Sequence, residues 1–249
     1  MSTGTPPSHW DEGTSQAYLD YGKYFIPARE QQMKIMVVLL GAISQPGQVL
    51  ELCCGEGLLA EQILQAYPHL HYHGLDGSPL MLTKAVQRLS PFTGRVQLEA
   101  FDLVENTWRK LDSPFQAVIS SLAIHHLDGA GKQKLFSDVY TMLDQGGAFI
   151  IADMVEPASD AGRRLAADAW DEVVYQRSMQ LDGNLAGLDF FQEQQWNTYR
   201  YPDPEDIDHP SPLFDQLRWL EQAGFVDVEV HFFLAGHAVF SAWKLSKLG

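Results

Sequence analysis

The segment from Val49 to Gly57, Val-Leu-Glu-Leu-Cys-Cys-Gly-Glu-Gly, combines residue types that could hold a ligand. Its apolar half predicts a buried strand, and its small residues predict a tight turn into a helix. Small residues let the backbone approach a ligand closely, and a helix N-terminus offers free N–H groups. The spacing Cys53-x-Gly55-x-Gly57 differs from the Gly-x-Gly-x-x-Gly of dinucleotide sites, which disfavours a nicotinamide dehydrogenase.

Acidic residues end the next two predicted strands. Asp76 closes the second strand, where a carboxylate can accept both hydroxyls of a ribose. Asp102 follows the third strand in Phe-Asp-Leu, where a carboxylate could accept a hydrogen bond from an adenine amino group beside apolar neighbours. The strand ends therefore indicate a site for a nucleoside.

A histidine pair, His125-His126, follows the fourth predicted strand. Ligands bind at the carboxyl edge of such sheets, and histidine can take a proton near neutral pH. We expect one of the two, with His126 favoured, to be a general base. Asp153, after the fifth strand, would orient that histidine or the substrate. Alternatively, the pair caps the strand and packs beneath the cofactor.

Strand and helix patterns alternate along the middle of the chain, which predicts βαβ units and a parallel sheet covered on both faces. The predicted strands are 49–53, 72–76, 96–100, 117–121 and 148–152, and the predicted helices are 58–66, 79–89 and 131–143. Ser78 is expected to cap the second of these helices, with Pro79 at its first position.

The flanking segments complete the predicted fold. Residues 16–43 are expected to be helical with a break at Pro27, and a helix over 212–223 should lead into a hairpin of strands 226–234 and 237–245. The predicted fold is α/β: a Rossmann-like, seven-stranded, mostly parallel sheet with a C-terminal antiparallel hairpin, helices on both faces and a helical lid insertion. The expected divisions are a disordered lead (1–15), a core with an N-terminal helical cover (16–156), the lid (157–211) and the completion of the core (212–249).

Composition excludes several classes of partner. The chain has 249 residues and a net charge of −15, which disfavours binding to phosphate backbones, so no nucleic-acid partner is expected. No apolar run reaches the roughly 18 residues of a membrane span, so no membrane partner is expected either. The two cysteines, Cys53 and Cys54, are adjacent, so we expect no disulfide, no zinc site and no other metal. A reduced, cytoplasmic protein is predicted, either a monomer or a homodimer.

Four motifs in this order resemble those of class I S-adenosylmethionine (SAM)-dependent methyltransferases. They are Val-Leu-Glu-Leu-Cys-Cys-Gly-Glu-Gly, Gly-Leu-Asp-Gly-Ser-Pro-Leu-Met, Phe-Asp-Leu and Leu-Asp-Gln-Gly-Gly-Ala-Phe, within residues 48–153. That family usually has glycine at the position of Cys53. Because a Cβ disfavours positive φ, we expect Cys53 to keep an ordinary backbone conformation.

The resemblance implies SAM as cofactor and assigns binding roles residue by residue. Gly55 and Cys53 would line the methionine moiety, Glu51 and the Ser120 carbonyl would meet its ammonium, and Asp76 would hold the ribose. The remaining implied contacts are Gly77, Met81, Asp102 and Leu103 around the adenine, and Tyr24 and Arg29 from the N-terminal cover. Helix packing is an equal alternative for Met81, and a solvated side chain is the alternative for Arg29.

The lid would supply the substrate pocket by the same resemblance. Five side chains are expected to form it: Trp170, Tyr175, Trp196, Tyr199 and Arg200. Alternatively, the aromatic residues only hold the insertion together. The predicted function is methylation of a small-molecule acceptor, with oxygen as the expected target. Methylation of nitrogen, carbon or sulfur, another SAM-dependent group transfer, and a non-catalytic SAM-binding module remain alternatives.

Overall fold

The computed structural model describes residues 12–43, 47–109, 114–203 and 207–246, which form one seven-stranded sheet flanked by helices. The strands are β1 (Gly47–Leu52), β2 (Leu70–Asp76), β3 (Val96–Ala100), β4 (Phe115–Ser121), β5 (Leu143–Met154), β6 (Val226–Leu234) and β7 (His237–Trp243). The α-helices are α1 (Glu12–Phe25), α2 (Arg29–Leu40), α3 (Leu58–Ala66), α4 (Pro79–Leu89), α5 (Gly129–Met142), α6 (Asp160–Asp182), α7 (Ala186–Glu193) and α8 (Leu213–Ala223). The expected lead, residues 1–15, lies largely outside the described residues.

The strand order is β3-β2-β1-β4-β5-β7-β6. The first five strands pair in parallel, and β7 pairs antiparallel with both β5 and β6. The predicted fold class is therefore confirmed. Because the order reverses between β1 and β4, the carboxyl ends of these two strands border the crevice where open α/β sheets bind ligands.

Alternate side chains of the central strands build a core on each face of the sheet. Leu50 and Phe149 pack with residues of α5 and α8 on one face, whereas Val49 and Ile150 pack with residues of α2 and α3 on the other. All four side chains are fully buried. Both faces are covered, which explains why the strands read as continuous apolar runs.

The sequence predicts a helix over 159–181, which the structure shows as α6, so the lid differs from the prediction mainly in its second helix. Ser159 caps α6 through its side chain, and the helix extends over 23 residues. The short helix α7 was not predicted, because eight residues with a Gly-Asn sequence shortly before them give little periodic signal. The break at Pro27 is confirmed: Ala28 has a left-handed backbone (φ 49°) between α1 and α2.

The lid helices α6 and α7 pack against α1 around a set of buried aromatic residues, here called the lid cluster. Its largest members are Tyr24, Phe25, Trp170, Phe191 and Tyr199. Tyr199 reaches the hairpin, where its hydroxyl lies 2.8 Å from the carbonyl of Gly236. Within the described ranges, the helices include none long and apolar enough to cross a membrane.

Replacing Gly236 with alanine is expected to disrupt the packing of the lid residue Tyr199 against the hairpin and to destabilise the protein. A Cβ there would lie 2.3 Å from the buried Tyr199 ring, and Gly236 has φ +75°. Overpacking and left-handed strain together should cost roughly 2–4 kcal/mol of unfolding free energy. Gly183→Ala is the matched control, because Gly183 has φ +67° with open space around it. Thermal and urea unfolding should show a loss of only about 1 kcal/mol there, and equal losses would contradict the packing argument.

Candidate active site

The turn after β1 has left-handed backbone at three alternate positions. Cys53 has φ 56°, Gly55 φ 53° and Gly57 φ 79°. The expectation that Cys53 keeps an ordinary backbone was therefore wrong, because the turn requires positive φ whether or not a Cβ is present. A Cβ at Gly55 would meet no atom within 4 Å, so the turn faces open space that a ligand can occupy.

Asp76 fixes this turn to the end of β2. Its carboxylate accepts the N–H of Gly55 at 2.7 Å and that of Ser78 at 2.9 Å. Burial raises the pKa of Asp76, and the backbone hydrogen bonds oppose that rise. An ionised carboxylate offers about four lone-pair sites, so Asp76 can accept ribose hydroxyls beside these N–H groups.

The predicted adenine contacts lie on both sides of this position. Met81 is buried in α4, and its N–H is capped by the Ser78 side chain. Gly77 is exposed, and Leu103 is buried. Asp102 is exposed and accepts the N–H of Val104 at 2.9 Å, so its carboxylate stands at an open edge.

Glu51 is a buried carboxyl whose hydrogen-bond partner is a phenol. Tyr72 donates its hydroxyl to Glu51 at 2.5 Å. Burial raises the pKa of Glu51 to about 8, and the Tyr72 hydrogen bond opposes this only in part. Ser120, also buried, pairs in register with Leu52 of the adjacent strand.

In the N-terminal cover, Tyr24 and Arg29 were predicted to contact SAM, and the structure shows both against other side chains of the protein. Tyr24 belongs to the lid cluster and donates its hydroxyl to Asp182. Arg29 begins α2, and its guanidinium lies 5.7 Å from the ring of Tyr18. The carboxylate of Glu12 accepts the N–H of Leu80 at 3.1 Å and thereby ties α1 to the start of α4.

His125 and Asp153 form a buried pair across the carboxyl ends of β4 and β5. Nδ1 of His125 donates to Oδ1 of Asp153 at 2.5 Å, and the His125 N–H donates to Oδ2 at 2.9 Å. Burial opposes the charged imidazole, but Asp153 and Asp208 outweigh it and raise the pKa of His125 to about 9. Of the two histidines, Asp153 thus holds His125 and not His126, which the sequence analysis favoured as the base.

Asp208 brings the second histidine into the same cluster. Its Oδ1 lies 3.0 Å from Nδ1 of His126 and 3.4 Å from Nε2 of His125. Although burial opposes its charge, the neighbouring histidines lower the pKa of Asp208 below its usual range. His126 is the more exposed of the two histidines, with 24% of its side chain accessible against 7% for His125.

The segment that carries Asp208 is tied down by backbone contacts. The N–H of His209 donates to the carbonyl of His125 at 2.7 Å, and that of Glu156 donates to Ser211 at 3.1 Å. The buried Lys132 donates its ammonium to the carbonyls of Leu127 and His209. Burial lowers the pKa of Lys132 to about 8. Residues 208–211 therefore cross the sheet edge as a strap.

A cavity of about 340 Å³ opens beside this strap. It extends from the loop after Leu103 to the start of α5, and His126 and His209 line it on the strap side. Two cations, Arg109 and Lys134, also line it, and both pair with Asp138. The exposed face of His126 is thus accessible from this cavity.

The five predicted substrate residues do not surround a comparable space. Trp170 donates its indole N–H to the carbonyl of Phe25 at 2.6 Å, and Trp196 packs 4.7 Å from the Phe25 ring. Arg200 pairs with Asp168 and Asp171 at the surface, and Tyr175 is exposed on α6. Because the Tyr199 hydroxyl is also bound to carbonyls, these contacts favour the alternative that the aromatic residues hold the insertion together.

Three residues near the site were not predicted from the sequence: Asp208, Lys132 and Tyr72. Asp208 lies near the end of the predicted lid and in no motif, and Lys132 lies in an ordinary amphipathic helix. Tyr72 carries no motif; the register of β1 and β2 pairs Glu51 with Gly74, and Tyr72 lies two residues earlier on the same face of β2. A buried lysine or tyrosine gives no local signal, because its partner comes from another element.

The parallel sheet, the glycine turn and the strand-end carboxylates together define a Rossmann-like protein that binds a nucleoside-containing cofactor. Comparisons with known proteins specify the class. A methyltransferase domain model matches residues 49–147. The chain is 19% identical to a carboxy-S-adenosyl-L-methionine synthase of Nautilia profundicola over 94% of both chains. It is also 33% identical to an uncharacterized methyltransferase of Synechocystis sp. over 47% of this chain and 52% of that protein.

A solved structure shows the same fold over nearly the whole chain. An O-methyltransferase family protein from Burkholderia thailandensis superposes with a TM-score of 0.67 at 17% identity, covering 96% of this chain. The chain spans 61% of that protein's length. Residues 49–147 therefore match a methyltransferase domain, and the matches together support a class I SAM-dependent methyltransferase with SAM as its cofactor.

The left-handed backbone at Cys53 predicts how substitutions there behave. Cys53→Gly should leave stability nearly unchanged, because relief of about 1 kcal/mol of strain is offset by a similar entropic cost. Cys53→Val should lose roughly 1–2 kcal/mol and weaken SAM binding, since a β-branched residue resists positive φ. Cys53→Ala controls for loss of the thiol. Unfolding and SAM calorimetry measure both effects; a valine variant as stable as the alanine variant would contradict the strained turn.

The raised pKa of Glu51 predicts that SAM binding releases a proton from this carboxyl. In the free protein the carboxyl is protonated below about pH 8, whereas the SAM ammonium favours the ionised form. SAM affinity should therefore rise as the pH increases from 6 to 8 and level off above that. Calorimetry in two buffers of different ionisation enthalpy measures the released proton. Glu51→Gln controls for titration of SAM itself, and equal proton release by this variant would refute the assignment.

Proposed function

We propose that the protein transfers the methyl group of SAM to an oxygen of a small-molecule acceptor. The observation that carries this proposal is the cluster of His125, His126, Asp153 and Asp208 at the carboxyl ends of β4 and β5. A hydroxyl acceptor must lose a proton as its oxygen attacks, and histidine held by a carboxylate suits that role.

The residues of the chain divide the work between positioning and proton transfer. When bound, SAM supplies an electrophilic methyl carbon on a positively charged sulfur. The acceptor oxygen must reach that carbon in line with the S–C bond, and such positioning supplies much of the rate. His126 is the proposed acceptor of the hydroxyl proton, and Asp208 orients its ring through the 3.0 Å contact at Nδ1.

The difference in exposure between His125 and His126 indicates from which side the acceptor approaches. His125 is enclosed by Asp153 and the strap, while His126 lines the 340 Å³ cavity. We therefore place the acceptor on the His126 side, with the lid cluster acting as a packed wall. The shared fold with an O-methyltransferase family protein supports oxygen as the target.

Replacing His126 with glutamine is expected to lower turnover about 10²- to 10⁴-fold, the usual contribution of a general base. SAM affinity should change little, because His126 is not among the predicted cofactor contacts. Turnover is measured as S-adenosylhomocysteine formed with a panel of phenols, alcohols, thiols and amines. SAM affinity is measured by calorimetry.

His71→Gln is the matched control, because His71 is an exposed histidine near the amino end of β2, at the edge of the sheet opposite the site. It should retain full turnover. Unchanged turnover in the His126 variant would remove the base from the proposal, and a panel in which only thiols or amines are methylated would remove oxygen as the target.

A second candidate is synthesis of a carboxylated SAM. The match to the carboxy-S-adenosyl-L-methionine synthase covers 94% of both chains, whereas the Synechocystis match covers about half. Mass spectrometry of the ligand that co-purifies with the protein separates the two. A sulfonium heavier than SAM by a carboxyl group would favour this candidate, and SAM or S-adenosylhomocysteine alone would favour methyl transfer.

A further inference from the structure

We propose that His125, His126 and Asp208 bind a divalent transition-metal ion at the carboxyl end of β4. Each residue offers one donor atom: Nε2 of His125, Nδ1 of His126 and Oδ1 of Asp208. These atoms all lie within 4.8 Å of one another.

The spacing of the donors matches a coordination shell. Asp208 Oδ1 lies 3.4 Å from His125 Nε2 and 3.0 Å from His126 Nδ1. Metal bonds of about 2.0–2.2 Å place neighbouring donors about 3 Å apart. The three side chains therefore need only small adjustments to share one ion.

Asp153 provides an independent observation that points to the same site. It accepts the Nδ1–H of His125, so Nε2 is the nitrogen that faces the other two donors. It also accepts the His125 backbone N–H, which fixes the ring's position. Histidine ligands of metals commonly donate their other ring N–H to a carboxylate in this way.

The local charge also favours a cation. Asp153 is buried and Asp208 is half-buried, and Lys132 is the lysine that faces them among the described residues. The Lys132 ammonium is turned away, toward the carbonyls of Leu127 and His209. With neutral imidazoles the group keeps net negative charge, which either a metal ion or a proton can balance.

The donor set indicates which metal and which type of site. Two imidazoles and one carboxylate suit Zn²⁺, Mn²⁺, Fe²⁺, Co²⁺ or Ni²⁺ better than Mg²⁺ or Ca²⁺. Three protein ligands leave coordination positions open, which is characteristic of catalytic rather than structural sites. Those positions would face the accessible sides of His126 and Asp208.

An open position gives the ion a role at the acceptor. A hydroxyl bound to a divalent ion loses its proton more readily, since the ion acts as a Lewis acid. In that case the ion, with His126 as a ligand, would activate the acceptor. This role rests on the proposed function, whereas binding of the ion does not.

The test uses the full chain, stripped with a chelator and titrated with Co²⁺ and Zn²⁺ by calorimetry and visible absorption. We expect one equivalent of Co²⁺ with an absorption band of a nitrogen- and oxygen-ligated ion. Asp208→Asn and His126→Gln should each weaken affinity at least tenfold. Asp153→Asn should weaken it roughly 10- to 100-fold, the usual effect of losing a histidine's carboxylate partner.

Two controls identify binding elsewhere on the chain. Asp203→Asn changes an acid shortly before Asp208, and His71→Gln removes an exposed histidine; both should bind Co²⁺ as the wild type does. Circular dichroism confirms that each variant folds. No binding, or equal binding by the Asp208 variant and the wild type, would overturn the proposal and leave a proton as the balancing cation.

Turnover with and without metal separates this proposal from the proposed function. Metal binding without any methyl transfer would retain the site and refute the function. Full turnover in chelator-treated protein, together with a loss in His126→Gln, would retain the base and refute the ion's role.

Discussion

The hydrogen-bonded pair of His125 and Asp153 is the interaction on which the carboxyl edge of the sheet depends. It joins the ends of β4 and β5, and it presents His125 to Asp208, so the strap closes over both strands. Removing one partner would leave the other charge buried and unpaired, which typically costs about 3–5 kcal/mol, whereas an intact buried pair often adds little net stability. The pair is therefore better explained by the geometry that it imposes than by the stability that it adds.

Backbone strain marks the same edge. Cys53 follows β1 with φ 56°, and Leu122 follows β4 with φ 55°. Left-handed backbone at residues with a Cβ persists only where the surroundings enforce it, and such residues concentrate at functional sites. The N–H of Leu122 donates to the carbonyl of Ala152 at 2.8 Å, and the side chain packs against the lid cluster. Both strained residues flank the crevice between β1 and β4, where the strand order reverses.

Local signals in the sequence determined most of the fold but only part of the site. Ser78-Pro79 predicted the start of α4 correctly, because a cap and an N1 proline act within one turn. The position of Asp76 followed from the end of a strand. The partner of Asp153 did not, because which of two adjacent histidines faces β5 depends on the short 3₁₀ turn that contains them. The position of Asp208 could not be predicted from the sequence for a similar reason. It lies beside the histidines because non-local hydrogen bonds hold the strap in place.

The acids at the sheet edge explain why the site suits SAM better than a dinucleotide. Asp76, Asp153 and Asp208 are largely buried near the carboxyl ends of β2, β4 and β5. Glu51, at the end of β1, would add a further negative charge once the SAM ammonium favours its ionised form. Carboxylates in a partly desolvated crevice attract cations more strongly than they would in water. SAM brings a sulfonium and an ammonium to such a crevice, whereas a dinucleotide brings a pyrophosphate that these carboxylates would repel. The field of the edge therefore selects for a cationic cofactor, and a positively charged sulfur beside the His125–Asp153 pair would also favour release of a proton from the cluster. The same negative field would favour the proposed neutral hydroxyl acceptor over an anionic one at the histidine cluster itself.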